Sequence, residues 1–315
     1  MLNRRQTLMA TAVAATAGAA ATLPSIAMSP TTSPLQDLSQ LPGLQPSPRM
    51  PVVFAGHGSP MNVIEATRWR QGWEALGRQF GPGQRWPTPQ LIVCISAHWI
   101  TRGWHVTGMD KPATIHDFGG FPKALFDMQY PAPGAPAVAQ ALAAGLRQPS
   151  TQQAVGVDEH QWGLDHGAWG VLLPMFPQAN IPVIQLSMDY SRHPAEHLAL
   201  GRQLQALRER GVLIVGSGNI VHNLGAMART AADNQTYDWA LEFDTQTARH
   251  LTQGDADGLA RFLDWGPVTR MAHPTHDHML PLLYTAGAAL PGEAVQYFNE
   301  GFQMAAISMR SAVWG

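Results

Sequence analysis

Four short runs of apolar residues constrain this fold more than any other feature of the chain. They are MPVVFAG (Met50–Gly56), LIVCIS (Leu91–Ser96), IPVIQLS (Ile181–Ser187) and VLIVGSG (Val212–Gly218), each bounded by Gly, Pro or Ser. Their continuous apolar character is that of strands covered on both faces, as in a parallel sheet, rather than of strands with one wet face. Between them, AVAQALAAGL (Ala137–Leu146) and HLALGRQLQALRERG (His197–Gly211) carry apolar residues three and four apart among good helix formers. Gly211 is placed to end the second helix. Strands separated by helices predict an α/β fold: a single domain with a central, largely parallel or mixed sheet flanked by helices.

The bulk numbers bound the partners. The chain has 315 residues, 45% of them hydrophobic and 13% charged, which is a globular composition long enough to bury a substantial core. Formal net charge is -2 and no basic stripe occurs, so a nucleic-acid partner has no electrostatic support and a small-molecule substrate is the default. No internal repeat and no composition break follows residue 50, so residues 49–315 read as one domain.

The N-terminus reads differently. Arg4 and Arg5 precede an Ala-rich apolar run from about Leu8 to Leu23, and Ser25 and Ala27 supply small residues for a cleavage site. Residues 1–28 therefore read as a twin-arginine-type export signal. An uncleaved anchor or a chance helix are the alternatives, but the run falls short of the roughly 20 strongly apolar residues of a spanning helix. The expected location is the periplasm, reached already folded through the twin-arginine export machinery, a route compatible with a cofactor loaded beforehand. Residues 29–48 are rich in Pro, Ser and Thr and read as a linker or surface arm. Cys94 is the sole cysteine, so no intrachain disulfide forms, and its place inside a strand reads as a small buried hydrophobe.

Histidines recur where these strands end. His57 follows VVFAG, His98 follows LIVCISA, and His222 lies just past VLIVGSGNIV. In open α/β sheets ligand crevices form at the carboxyl ends of the strands. Imidazole is the commonest metal ligand and also a general acid or base near neutral pH. Three such residues converging on one sheet edge are what a first-row metal site needs. HPTHDHMLPLLY (His273–Tyr284) offers a fourth candidate among His273, His276 and His278, with neighbours able to orient it. His193, His197 and His250 lie on or near helical patterns and read as surface residues.

Other chemistries fit less well. GHGSP has His57 where a nucleophile elbow needs serine, GSGNIVHN lacks the third glycine of a dinucleotide fingerprint, and neither a Walker-type loop nor a CxxC zinc pattern occurs.

Seven motifs in order, GHGSPMN (Gly56–Asn62), SAHW (Ser96–Trp99), TIHDFGGFP (Thr114–Pro122), YPAPG (Tyr130–Gly134), GLDHGAWGVL (Gly163–Leu172), SGNIVHNL (Ser217–Leu224) and PTHDHMLPLLY, resemble the 4,5-DOPA dioxygenase extradiol family of class III ring-cleaving dioxygenases. The resemblance spans residues 50–315. It implies one non-haem divalent metal ion, Fe(II) for dioxygenase activity, with Zn(II) also acceptable to an all-histidine shell. It implies His57, His98 and His278 as ligands, with His276 the neighbouring competitor. His222 matches the acid/base histidine and is also a candidate for the metal shell. His166 is implied to contact substrate or the oxygen species, and His116 and Phe118 to line the substrate mouth. Asp117 and Asp165 are candidates to orient the histidines, while Trp99 and Trp169 read as core. The implied reaction opens a catechol such as DOPA with O2, beside the diol, to a semialdehyde. A zinc-dependent hydrolase on the same histidines and a non-enzymatic periplasmic metal-binding protein are the alternatives from other classes.

Overall fold

The computed structural model describes residues 37–38, 41–233 and 235–315. The export signal read over residues 1–28, and residues 29–36 and 39–40 of the arm, lie outside them.

Among the described residues ten strands are formed, in chain order β1 (Val52–Gly56), β2 (Leu91–Ser96), β3 (His105–Thr107), β4 (Gly156–Asp158), β5 (Val183–Gln185), β6 (Val212–Gly218), β7 (Val295–Phe298), β8 (Phe302–Gln303), β9 (Ile307–Ser308) and β10 (Ser311–Trp314). The helices are α1 (Arg68–Gly77), α2 (Lys123–Phe126), α3 (Pro136–Gly145), α4 (His166–Met175), α5 (Pro194–Gln203), α6 (Asp238–Thr252), α7 (Ala256–Leu259), α8 (Pro267–Ala272) and α9 (Leu280–Ala288). Six strands make the central sheet in the order β5-β2-β6-β1-β10-β7. The first four are mutually parallel, whereas β10 runs antiparallel to both β1 and β7. The sheet is mixed, as expected of an α/β domain.

The apolar runs earn their continuity by feeding two cores. Val52 and Phe54 of β1, Leu91, Val93 and Ile95 of β2, and Val212 and Ile214 of β6 pack on one side with α3, α5, α6 and α9. The alternate residues Val53, Ala55, Ile92, Cys94, Leu213 and Val215 pack on the other with α1 and α4. With period two and both faces covered, polar residues enter these strands only at their carboxyl ends, as Ser96 and Ser217, each with a hydrogen-bond partner at the site.

The helices shift slightly from the sequence pattern. The second begins at Pro194, capped by His193, and passes into a 3-10 turn over Leu204–Arg210 that Gly211 ends at φ +68°. His197 is buried rather than on the surface, because α5 lays this face against α9; its Nδ1 stands 2.8 Å from the Tyr284 hydroxyl. Part of the arm is also packed: Leu38 and Leu41 join the core, and the backbone N–H of Ser47 donates to the Glu209 carbonyl. Among the described residues no helix is long and apolar enough to cross a membrane.

Candidate metal centre

Strand register brings the first two histidines to one level. Gly56 pairs with Gly218 and Ser96 with Ser217, so His57, one step on, and His98, two steps on, both stand beside Asn219 at the end of β6. The ladder continues past the strands, since the backbone N–H of His57 donates to Gly218 and that of Ala97 to Ser217. β1 and β2 flank β6 on either side, so their histidines lean toward each other over its end, with ring centroids 5.1 Å apart.

His278 arrives from the short turn Asp277–Met279 that precedes α9. Its carbonyl accepts from the Asn219 N–H, and it sits so close to Gly218 that a Cβ there would lie 2.2 Å from the oxygen. Only glycine fits at that point of SGN. The His278 ring lies 5.1 Å from His57 and 5.0 Å from His98, centroid to centroid, closing a nearly equilateral triangle.

The triangle fits a metal ion. The ligand nitrogens of His57, His98 and His278 lie within 4.8 Å of one another. Each imidazole has an outside partner for Nδ1: Ser217 Oγ for His57 (3.0 Å), Asp277 Oδ2 for His278 (2.5 Å) and, at longer range, Asp117 Oδ2 for His98 (3.5 Å). That leaves Nε2 facing inward, and the Nε2 atoms of His57 and His98 are 3.4 Å apart. Two nitrogens carrying lone pairs repel at that distance unless a proton or a cation stands between them. Burial, then repulsion from neighbouring imidazoles, pushes the pKa values of His57 and His98 well below the ordinary histidine value, so both are neutral ligands. Outside partners on Nδ1 are the usual way of fixing tautomer and aim in metal-binding histidines.

His222 and His166 border the triangle. The His222 ring stacks on His278 with centroids 3.5 Å apart and planes 6° from parallel, and the residue lines the cavity. Burial, then His278, lowers its pKa to about 2. His166 opens α4 beside His98, at 4.0 Å between centroids. Asp117 Oδ2 lies 2.9 Å from His166 Nδ1, and its other oxygen accepts from the His166 backbone N–H. Burial alone would raise the Asp117 pKa, but these contacts with His166 bring it below the usual carboxylate value.

Asp165 takes no histidine as partner. It caps α4, accepting from the Ala168 N–H, and binds the Ser96 hydroxyl (2.6 Å) and the Gln185 amide (2.5 Å). It therefore ties the helix bearing His166 to the ends of β2 and β5. His276 lies outside the triangle, stacked on Tyr190 at 4.3 Å. Phe118 lines the cavity, whereas His116 stands behind it, with Nε2 3.0 Å from the Met128 carbonyl oxygen. Trp99 and Trp169 are buried.

Over the histidine floor opens a cavity of about 560 Å³ with Phe118, Phe121, Leu224, Met227, Met304 and Ile307 in its walls. Sequence reasoning did not find most of this wall. Gln303, Met304 and Ile307 come from the β8–β9 hairpin, whose strands are two residues each and carry no readable period. Asp277 was findable, standing directly before His278 in HDH.

A triad of imidazoles at the carboxyl edge of an α/β sheet, beneath an aromatic-walled cavity, defines a metalloenzyme acting on a small, largely apolar molecule. Residues 51–314 match the catalytic LigB subunit of aromatic ring-opening dioxygenase, and the chain belongs to that family of enzymes. It is 46% identical over 272 residues to the 4,5-DOPA dioxygenase extradiol of Escherichia coli (strain K12), covering 85% of this chain and 96% of that one. It is 36% identical over 239 residues to the 4,5-DOPA dioxygenase extradiol of Beta vulgaris, covering 75% and 85%. The crystal structure of an uncharacterized Escherichia coli K12 protein superposes with a TM-score of 0.70 at 41% identity, over 85% of this chain and all of that one.

Proposed function

We propose that this enzyme opens the ring of a catechol such as DOPA beside the diol, with O2, giving a semialdehyde, and that its native metal is Fe(II). The observation that carries the proposal is the triangle of His57, His98 and His278 under a cavity walled by Phe118 and Phe121. Bound in the triangle, the ion supplies Lewis acidity that favours deprotonation of the diol and, as iron, the redox chemistry that engages dioxygen.

The chain's own residues do the rest. The apolar wall covers the aromatic ring and excludes water, while the imidazole floor fixes where the two hydroxyls lie. His222 is neutral when the site is empty of substrate, so it is ready to take a proton. A catecholate oxygen beside it would favour the imidazolium and raise its affinity for that proton. Returning the proton as the ring opens is the general acid half of the same role. His166, with Asp117 behind Nδ1, keeps Nε2 for the substrate side.

We further propose that residues 1–28 direct export to the periplasm through the twin-arginine machinery, on the strength of Arg4, Arg5 and the apolar run behind them. Replacing both arginines with lysine in a reporter fusion should hold the protein in the cytoplasm; unchanged export would end that reading.

The test of the reaction is oxygen uptake by the anaerobically purified chain, reconstituted with Fe(II) or with Zn(II), against a panel of catechols including DOPA. Uptake with a new visible absorbance in the iron form alone is the expected result. A filled iron site without uptake on any catechol would overturn it and favour hydrolysis at a zinc site.

A further inference from the structure

The peptide bond that follows His57 is held at both ends by asparagine side chains. The His57 carbonyl accepts from Asn62 Nδ2 at 3.2 Å, and the Gly58 N–H donates to Asn219 Oδ1 at 3.4 Å. Both amides are buried, Asn62 at 1% exposure and Asn219 at 0%. Each has a second partner on the β8–β9 hairpin. Asn219 Nδ2 donates to the Ser308 carbonyl at 2.8 Å, and Asn62 Oδ1 accepts from Gln303 Nε2 at 3.2 Å. Asn219 also reaches another corner of the triangle, since its backbone N–H donates to the His278 carbonyl. Neither amide can be turned over, because a flip would set its oxygen against a carbonyl, that of His57 for Asn62 and that of Ser308 for Asn219.

A buried amide costs stability unless its bonds are made, and an apolar side chain of similar size would fill the same space without that cost. Two such amides meet here on one peptide, and both are anchored in the same hairpin. Rotating that peptide plane would break a buried hydrogen bond at each end. We propose that Asn62 and Asn219 are positioning residues for the metal: together they clamp the backbone of His57 so that its Nε2 stays aimed into the triangle. Ligands of a functional site must be held to within about 0.5 Å, and groups behind the ligands do this work. The hairpin that anchors the clamp also brackets His222, as the Ser308 N–H donates to the Val221 carbonyl and the Asn223 N–H to that of Ala306. His98 is held separately, its N–H donating to Ser96 Oγ at 3.2 Å. The inference rests on the metal triangle alone and holds whichever reaction the ion supports, so its readouts use no substrate.

The test compares the full chain with Asn62→Ala, Asn219→Ala and the double variant. Zn(II) affinity is measured by competition with a chelator, and the visible bands of the Co(II)-loaded protein report the geometry of the ligands. His197→Asn, a buried change without a bond to the triangle, shows what altered stability alone does to both readouts. Each single variant should lose about tenfold or more in Zn(II) affinity and shift the Co(II) bands, while His197→Asn moves neither. Because both amides act on one peptide, the double variant should lose less than the product of the two single losses. Unchanged affinity and bands in the single variants, with only a lower Tm of the metal-free chain, overturn the inference and leave the amides a purely structural role. Equal shifts in His197→Asn, or single losses that multiply in full, overturn it as well. Where an alanine variant does not fold, Asn62→Ser or Asn219→Ser, which leaves a smaller gap, is read in its place by the same criteria.

Discussion

His222 and His278 lie face to face, ring centroids 3.5 Å apart and planes 6° from parallel. The lone pair of an imidazole nitrogen lies in the ring plane, and a metal–nitrogen bond is about 2.0–2.1 Å long. Parallel rings in van der Waals contact aim their lone pairs along separate planes roughly 3 Å apart, so one ion cannot sit in both. His278 belongs to the triangle with His57 and His98, and we propose on this geometry that His222 stands beside the ion rather than on it.

Replacing His222 with alanine should accordingly leave the metal content near one per chain and lower kcat by about 10²–10⁴-fold, the usual worth of a positioned acid/base group. Metal analysis after reconstitution, alongside oxygen uptake, checks both halves. Loss of the metal in this variant would make His222 a ligand and remove the acid/base role.

The choice between His276 and His278 has an equally direct test. His278→Ala removes one corner of the triangle, and metal should be lost on gel filtration. His276→Ala removes a stack on Tyr190 and an edge contact with Phe262, neither part of the triangle, so the metal should stay. The reverse pattern, read by elemental analysis of the two variants, would mean that the turn Asp277–Met279 rearranges when the ion binds.

Asp277 is the partner that aims His278, 2.5 Å from its Nδ1. Burial alone would raise the Asp277 pKa, but the contact with His278 holds it well below the usual carboxylate range. Asp277→Asn removes the negative charge while keeping the size. Metal affinity should fall about 10–100-fold, as is typical when the group behind a histidine ligand is lost. Competition with a chelator of known affinity measures it, and an unchanged affinity would show that the carboxylate matters only to the loop.

These residues also show how far the sequence could be read. His57 and His98 were legible because each directly follows a run of buried residues, and strand ends in such sheets gather at one edge. His278 was not legible from pattern alone: HPTHDH offers three imidazoles within six residues, and the choice depends on how a turn packs against Gly218. Burial of His197 was equally hidden, since its helix has a mixed face and α9, which covers it, lies some 80 residues further on. The antiparallel strands β7 and β10 escaped notice because they are short and carry no long apolar run. The cavity wall was least legible, being built from single residues on loops and on a hairpin of two-residue strands.

His197 gives a prediction on stability that is independent of the metal site. Trp104 Nε1–H donates to the Tyr284 hydroxyl oxygen at 2.6 Å, which leaves the phenol proton to bond His197 Nδ1 at 2.8 Å. Nδ1 must then be unprotonated. Burial lowers the pKa of this imidazole from 6.5 to about 4. Above pH 6.5 it is neutral in the folded and unfolded chain alike, and its contribution to stability is complete. As pH falls from 6.5 toward 4 the unfolded chain binds a proton that the folded chain refuses, so stability is lost across that window, by about 3 kcal/mol in all. Asparagine at this position can still accept from Tyr284 but cannot titrate. His197→Asn should therefore show a shallower fall in Tm between pH 7 and 4.5 than the wild type, measured by scanning calorimetry. Other buried histidines act in the same direction in both proteins, so the difference between the two curves isolates His197. Parallel curves would mean that this imidazole takes up its proton without disturbing the fold, with Nδ1–H then donating to the Tyr284 oxygen, which would accept from Trp104 and His197 alike.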